Sequence, residues 1–390
     1  MLLINYNQLH MPTYITGRGS ISFFSTLGRK RIGIIRGGRS LNDQLKNTIE
    51  QLALEIGAQV KYLAQIRNEP FIEDIFECME EVEEFQPDLI LAIGGGSVLD
   101  TAKAIHLFYE NPELSFDDAT IPYSLPRLGK KALHVSVPTT SGTGSETTSC
   151  AVFIDKISKT KKLLIDNNII PHYAILDADT TDSLPSSLTI ATGLDALTHA
   201  IEASTANNSS VLTRAIAIGA AQDILESLPV AVQSDIDIEI KKLAKEKLHI
   251  ASALAGTAIT NSCTGIAHSY DHPGPAFSIA HGNICGLMLP YTMKYVGTHP
   301  SFATIAKRLG YSGSEEELTK CLQNHLFKFM EELKLPLSFK DMGIDKEEYE
   351  ASVKIWSEIS LNAFATKVSP ANMNAEKGIA LYQDCYNGLE

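Results

Sequence analysis

Apolar residues follow two different patterns along the chain, and the change between them lies near residue 185. In the first part, short β-branched runs alternate with amphipathic stretches at helical spacing, which is typical of βα units and a parallel sheet. The spacing predicts a helix that starts near Leu41 and another over residues 72–85. The predicted strands are residues 31–35, 60–66, 88–93, 132–137 and 173–177.

The second part reads as successive helical segments with few β-branched runs. We therefore predict an α/β domain over residues 1–185, Rossmann-like with a mostly parallel sheet, and an all-helical domain over residues 186–390. The apolar stretch at residues 1–4 is equally compatible with an edge strand and with packing on its own domain. The predicted helices are residues 188–206, 211–228, 238–257, 302–309, 314–333, 346–356 and 375–386.

Composition narrows the class of protein. Hydrophobic residues make up 44% and charged residues 20% of the 390 positions, which excludes a disordered chain. A net charge of −13 argues against a nucleic-acid surface. No apolar run is long enough for a membrane span, and the N-terminus lacks a secretory pattern. With six cysteines and no CxxC pair, we expect a cytoplasmic protein.

Glycine-rich and hydroxyl-rich loops follow three of the predicted strands. Such loops let the backbone approach a ligand, and the N–H groups of the helix that follows can bind a pyrophosphate. Each loop could also be a turn that only packs a helix on a strand, and the first does not match GxGxxG. The candidate cofactor contacts are Gly37, Gly38, Gly94, Gly95, Gly96, Ser97, Thr139, Thr140 and Thr143.

A candidate metal site begins at Asp195 and His199, which stand at i and i+4 in a predicted helix and so share one face. His268 and His281 could complete a set of one carboxylate oxygen and three imidazole nitrogens. That set suits Fe(II) or Zn(II) better than Mg(II) or Ca(II). Any one of these histidines alone would more often be a structural residue.

Taken together, these segments resemble the iron-containing (group III) alcohol dehydrogenase family. The resemblance covers nearly the whole chain, and its motifs occur in the family's order. They are Gly94-Gly-Gly-Ser97 with Asp100 and Lys103, Pro138-Thr-Thr-Ser-Gly-Thr-Gly-Ser-Glu146, Gly193-Leu-Asp-Ala-Leu-Thr-His-Ala-Ile-Glu202, His268-Ser-Tyr-Asp-His272-Pro and His281-Gly282.

The resemblance implies a dehydroquinate synthase-like architecture and an NAD(P)-dependent alcohol dehydrogenase of class EC 1.1.1. Its substrate would be a small alcohol, diol or hydroxy acid, or the matching aldehyde, and it would be a homodimer or larger oligomer. It also implies that His272 contacts the cofactor or relays a proton. Asp100 would lie near cofactor and substrate and is a candidate catalytic and cofactor-binding residue. The metal ligands it implies are Asp195, His199, His268 and His281, and the cofactor contacts are those of the three loops.

The chain departs from the family pattern at two places, and the first of them lies near the substrate. The spacing of 13 residues from His268 to His281 is one shorter than is usual, and Ser369 stands where asparagine is common. Arg36 and Arg39 follow the first predicted strand, and residues 36–40 contain no carboxylate. We therefore expect NADP(H) to be accepted and hypothesise a preference for it. Two alternatives stay open: a metal- and NAD-dependent cyclising lyase of the dehydroquinate synthase type, and an inactive metal- and nucleotide-binding protein.

Overall fold

The structure is a computed structural model that describes residues 8–38, 40–66, 70–157 and 160–388. It divides into two compact units: His10–Leu184 form one, and the residues from Pro185 onward belong to the other. The first unit is α/β and the second is helical, which confirms the predicted fold class. The predicted residues 1–4 and Arg39 lie outside the described part of the chain.

The α/β unit contains a parallel sheet of six strands in the order β1-β8-β5-β4-β2-β3. All five predicted strands are present, with ends within two residues of those expected. The sequence reading missed β1 and the antiparallel pair β6–β7. The strands are β1 (Thr13–Thr16), β2 (Arg31–Gly37), β3 (Gln59–Ile66), β4 (Leu89–Gly94), β5 (Leu133–Pro138), β6 (Cys150–Ile154), β7 (Lys161–Ile165) and β8 (Tyr173–Leu176).

Helices cover both faces of this sheet, as the fully buried β4 requires. The predicted single helix over residues 72–85 is wrong: two helices meet at Cys78, whose thiol donates to the Ile75 carbonyl. The helices are α1 (Asp43–Glu55), α2 (Ile72–Glu77), α3 (Met79–Phe85), α4 (Gly96–Glu110) and α5 (Phe116–Ala119), with 3₁₀ turns at Ser20–Leu27, Ser145–Thr147, Asn167–Ile169 and Ala178–Thr181.

The helical unit is built around α6, which packs against α7, α8 and α11. All seven predicted helices are present, but the buried α11 was not foreseen. The helices are α6 (Ser186–Thr205), α7 (Val211–Val232), α8 (Ile238–Thr260), α9 (Ile266–Ser269), α10 (Pro273–Ala276), α11 (His281–Val296), α12 (Pro300–Arg308), α13 (Glu315–Glu332), α14 (Lys346–Asn362), α15 (Phe364–Val368) and α16 (Ala375–Asn387).

Two glycines let α11 lie unusually close to α6. A Cβ atom on Gly282 would stand 1.8 Å from the carbonyl oxygen of Ala191, and one on Gly286 would stand 2.9 Å from the Cβ of Leu194. Neither position can therefore carry a side chain without separating the helices. This close packing places His281, the first residue of α11, against α6.

Helix α7 is long and apolar enough to cross a membrane by length and composition alone. Half of its most apolar window is buried, and the helix packs against α6 and α8 in the core of the helical unit. A core helix of a water-soluble protein meets the same criteria, so α7 is weak evidence for a membrane span.

Candidate functional site

Three imidazoles surround one carboxylate oxygen in the helical unit. Asp195 and His199 project from successive turns of α6, His268 comes from α9, and His281 opens α11. The Nε2 atoms of His199, His268 and His281 lie 3.7, 3.4 and 3.5 Å from the same atom, Asp195 Oδ1. The four predicted metal ligands are thus brought together.

These separations match what a divalent cation requires. Four ligand atoms placed at about 2.1 Å around a tetrahedral cation lie about 3.4 Å from one another. The three distances from Asp195 Oδ1 equal or slightly exceed that value. The rings of His199 and His268 are stacked with centroids 4.6 Å apart. The donor set fits a cation such as Fe(II) or Zn(II).

Two further carboxylates orient the rings of His268 and His281 through their Nδ1 atoms. Glu202 Oε2 accepts from His268 Nδ1 at 2.6 Å, and Asp271 Oδ2 lies 2.9 Å from His281 Nδ1. A carboxylate on Nδ1 leaves the Nε2 lone pair for a cation. Sequence reasoning missed both residues, although Glu202 follows Asp195 and His199 at helical spacing on the same face of α6.

Glu202 is itself fixed by its surroundings. Its other oxygen, Oε1, accepts from the backbone N–H of Ala267 at 2.6 Å. A Cβ atom on Gly265 would stand 2.8 Å from that oxygen, so a glycine is needed where the chain passes the carboxylate. Glu202 therefore holds both the backbone and the ring of the α9 segment in place.

The charges in this cluster favour a cation. Burial opposes ionisation of Asp195, but His199 and its neighbouring imidazoles hold the pKa of this carboxyl well below its ordinary value. Burial lowers the pKa of His199 to about 4, which keeps that ring neutral at pH 7. Although burial opposes it, Cys285 and Glu202 raise the pKa of His268 well above its ordinary value. Surplus negative charge of this kind attracts protons or a metal ion.

Access to the cluster is uneven. The side chains of Asp195 and His199 are each 8% exposed and that of His268 is 10% exposed, whereas that of His281 is 49% exposed. The His281 side is therefore open to a small molecule. His272 lies half-buried at the N-terminal cap of α10, in the segment that joins His268 to His281.

The short segment between these histidines folds into α10 and a turn at Ser278, which has a positive φ of 54°. The ring of Phe277 packs against Tyr349 and Trp356 and so belongs to the core of the helical unit. Ser369 is buried, and its hydroxyl accepts from the backbone N–H of Ala371. Ser369 therefore closes a local turn.

The cofactor loops lie in the α/β unit, at the carboxyl ends of β2, β4 and β5. Gly95 caps α4 without a side chain, which leaves the first N–H groups of that helix, including that of Ser97, open to an anion. A Cβ on Gly96 would stand 2.9 Å from the Thr143 side chain, and one on Gly95 would stand 3.5 Å from that of Thr140. The glycine loop thus lies directly against the hydroxyl loop.

The loop after β2 is tied to the same edge of the sheet. Ser40 Oγ accepts from the Gly37 N–H at 2.8 Å and donates to the Ile93 carbonyl at 2.7 Å. Gly38 is exposed and Thr139 is buried. Three predicted cofactor loops therefore meet at one end of the parallel sheet, where this class of sheet binds nucleotides.

Asp100 is engaged within the protein. Its Oδ1 accepts from Ser145 Oγ at 2.5 Å and its Oδ2 from the Val152 N–H at 3.0 Å. Lys103, which is fully buried, donates to Thr148 Oγ1 and to the Cys150 carbonyl. Asp100 thus braces the hydroxyl loop, and neither its contact with substrate nor its contact with cofactor follows from this geometry.

Glu146 lies in the hydroxyl loop after β5, and the sequence indicated it only as the last residue of a motif. Its side chain is buried, and burial raises its pKa to about 7, against a weaker opposing effect of Lys103. A buried carboxyl group of this kind is neutral through much of the range in which ordinary glutamates are charged.

Comparison with known proteins shows the family of the chain. Residues 12–178 match the family model for iron-containing alcohol dehydrogenase, and residues 189–386 match that for the C-terminal part of the Fe-containing alcohol dehydrogenase family. The chain is 34% identical to an NADPH-dependent butanol dehydrogenase of Clostridium saccharobutylicum, over 96% of each chain. It is 30% identical to an alcohol dehydrogenase of Thermococcus barophilus, over 95% of this chain and 97% of that one. A solved iron-containing alcohol dehydrogenase of Thermococcus thioreducens superimposes with a TM-score of 0.87 at 30% identity, over 98% of this chain and all of the other.

Proposed function

The chain belongs to the iron-containing alcohol dehydrogenase family, and we propose that Asp195, His199, His268 and His281 hold its catalytic metal. Family and relatives support a metal-dependent, nicotinamide-linked alcohol dehydrogenase of class EC 1.1.1, acting on small alcohols or aldehydes. The relatives' names do not favour a cyclising lyase or an inactive binding protein. The observation that carries the proposal is the convergence of three Nε2 atoms on Asp195 Oδ1.

The reaction is reversible hydride transfer between an alcohol carbon and the nicotinamide ring. A divalent cation bound here would supply Lewis-acid chemistry at the substrate oxygen. Three neutral imidazoles and one carboxylate would leave a bound dication with one net positive charge. Glu202 and Asp271 keep the rings of His268 and His281 in orientation. Substrate enters from the exposed side of His281.

We assign His272 the movement of the alcohol proton, as a general acid and base. Its half-buried place between the two later ligands supports this role. His272→Asn should lower kcat and leave the metal content unchanged, since this side chain is not in the ligand set. A His272→Asn enzyme with wild-type kcat would contradict the assignment.

We assign nicotinamide binding to Gly37, Gly38 and the two loops after β4 and β5, with the pyrophosphate at the N-terminus of α4. The backbone of residues 94–97 and the hydroxyls of Thr139, Thr140 and Thr143 supply the donors. Asp100 acts here as a brace for Ser145.

Iron and a nicotinamide are the cofactors that family membership supports. We further propose a preference for NADP(H). Arg36 is the penultimate residue of β2, where its guanidinium donates to Gln65 and lies over the Tyr62 ring. No carboxylate stands in residues 36–40 to repel a 2′-phosphate. The NADPH-dependent relative agrees with this choice. A large advantage of NAD in kcat/KM would overturn it.

The decisive experiment couples metal analysis to a panel of small alcohols and aldehydes, assayed in both directions with both nicotinamides and with Fe(II) or Zn(II). Asp195→Ala and His268→Ala should remove metal and activity together. Retention of metal by both variants would show that the assigned site is wrong.

Two properties of the whole protein complete the proposal. All six cysteines are free thiols, which supports a reducing cytoplasm. We also expect a homodimer or a larger homo-oligomer, which light scattering would test.

A further inference from the structure

We propose that Cys285 gives the metal centre a second donor set, in which its sulfur replaces His199 and which binds thiophilic divalent cations. Cys285 is buried on α11, one turn after His281. The set shares Asp195, His268 and His281 with the first one. This inference rests on the proposed metal ligands and goes beyond them, because a sulfur ligand is no part of the predicted site.

The position of the thiol carries the proposal. Cys285 Sγ lies 3.7 Å from His281 Nε2 and 3.8 Å from His281 Nδ1. The donor atoms of Asp195, His268, His281 and Cys285 all lie within 4.8 Å of one another. The four groups come from α6, α9 and α11, so the cluster depends on the tertiary packing of three helices.

These distances suit a tetrahedral site with one sulfur. With a metal–sulfur bond of about 2.3 Å and metal–nitrogen bonds of about 2.1 Å, sulfur and nitrogen lie about 3.6 Å apart. The observed separation from Sγ to His281 Nε2 is 3.7 Å, and Asp195 Oδ1 lies 3.4 Å from His268 Nε2 and 3.5 Å from His281 Nε2. The sulfur lies within 4.8 Å of the donor atoms of Asp195 and His268.

His199 is the ligand most easily exchanged. Its Nδ1 atom is buried and has no hydrogen-bond partner among the residues that the structure describes. By contrast, the Nδ1 atoms of His268 and His281 are held by Glu202 and Asp271. Releasing His199 from a cation breaks no such hydrogen bond, whereas releasing either of the others would leave a carboxylate without its imidazole partner.

Ligand chemistry then divides the metals between the two sets. Thiolate ligands favour Zn(II) and related soft cations, while imidazole and carboxylate suit Fe(II). On binding, the thiol releases its proton to solvent and the sulfur donates an electron pair, with no change in oxidation state. Because the thiolate adds a negative charge in place of a neutral imidazole, the net charge of the centre falls from +1 to zero. We therefore expect a thiophilic metal in this donor set to polarise the substrate oxygen less strongly.

Cobalt(II) tests this directly, because a thiolate bound to Co(II) gives a near-ultraviolet charge-transfer band that imidazole and carboxylate do not. The full chain and its Cys285→Ser and Cys285→Ala variants are loaded with Co(II) alone, and bound metal and absorption are measured. Cys321→Ser, a half-buried thiol on α13, is the matched control. Wild type and Cys321→Ser should show the band, and both Cys285 variants should bind Co(II) without it.

A second measurement compares Zn(II) affinities by chelator competition. Cys285→Ser should weaken Zn(II) binding by about tenfold, since His199 can take the place of the sulfur. Stoichiometric Co(II) without a band in the wild type would overturn the role of Cys285 and leave the proposed dehydrogenase site intact. Failure of the wild type to bind Co(II) would overturn both.

Discussion

Replacing Gly282 with alanine tests whether the close packing of α11 on α6 builds the metal site. The added methyl group would lie 1.8 Å from the Ala191 carbonyl oxygen and 3.0 Å from the Cβ of Asp195. An ordinary contact between carbon and oxygen is about 3.3 Å, so the start of α11 must retreat by about 1.5 Å. Metal–ligand distances tolerate only about 0.2 Å. His281, the residue next to Gly282, would therefore be lost as a ligand.

The size of the effect follows from this displacement. Metal binding by four ligands is worth roughly 10–16 kcal/mol in structural zinc sites, so one ligand contributes about 3 kcal/mol, or about 100-fold in affinity. The overpacked helix contact should also lower the free energy of unfolding of the metal-free protein by about 1–3 kcal/mol. That corresponds to a fall in Tm of about 2–4 °C per kcal/mol.

Metal affinity is measured by chelator competition, and Tm on the metal-free protein. Gly219→Ala, within α7, is the matched control. Its added Cβ would meet only the guanidinium of Arg308, on α12, at 3.9 Å. That change should leave metal affinity unaltered and stabilise α7 by about 0.5–1 kcal/mol. Wild-type metal affinity and Tm in Gly282→Ala would refute the argument from packing.

Three further predictions concern single side chains. Glu202→Gln should weaken metal binding by about 10–100-fold, because the carboxylate charge that contacts His268 Nδ1 is lost. Equal affinity of the variant and the wild type in chelator competition would exclude this role of Glu202. Gly96→Ala should raise the Kd of the nicotinamide by about tenfold, or about 1.4 kcal/mol, because its methyl group meets Thr143. Metal binding should be unchanged. An unaltered Kd in calorimetric titration would contradict pyrophosphate binding at this glycine loop. The pKa of Glu146 is raised to about 7 in the folded protein, so the stability it contributes is present below about pH 4.5 and is lost as the pH rises to about 7. In urea unfolding, the free energy of unfolding of Glu146→Gln should therefore rise relative to that of the wild type between these pH values. A constant difference between the two proteins would refute this.

The sequence predicted the parallel strands and indicated Asp195 and His199 as candidate metal ligands because both features leave local patterns. The buried β4 is a continuous apolar run, and Asp195 with His199 at i and i+4 marks one face of α6. Such patterns survive in the sequence whatever packs around them.

Features that depend on tertiary packing were missed. Helix α11 is buried along most of its length and so lacks an amphipathic period, and it contains Pro290. The break at Cys78 interrupts a segment whose spacing predicts a continuous helix. Cys285 approaches the predicted ligands only because glycines bring α11 against α6, a contact between distant segments that no local spacing records.

The pairing of β1 with β8 has a consequence for the synthesis of the protein. Thr13–Thr16 lie in register with Tyr173–Leu176, so within the described sheet β1 pairs only with β8, a strand much later in the chain. During synthesis, the pairing of β1 with β8 cannot form until Leu176 has left the ribosomal exit tunnel. The α/β unit therefore completes its sheet late in translation, and any pause before that point prolongs the time in which β1 can pair wrongly.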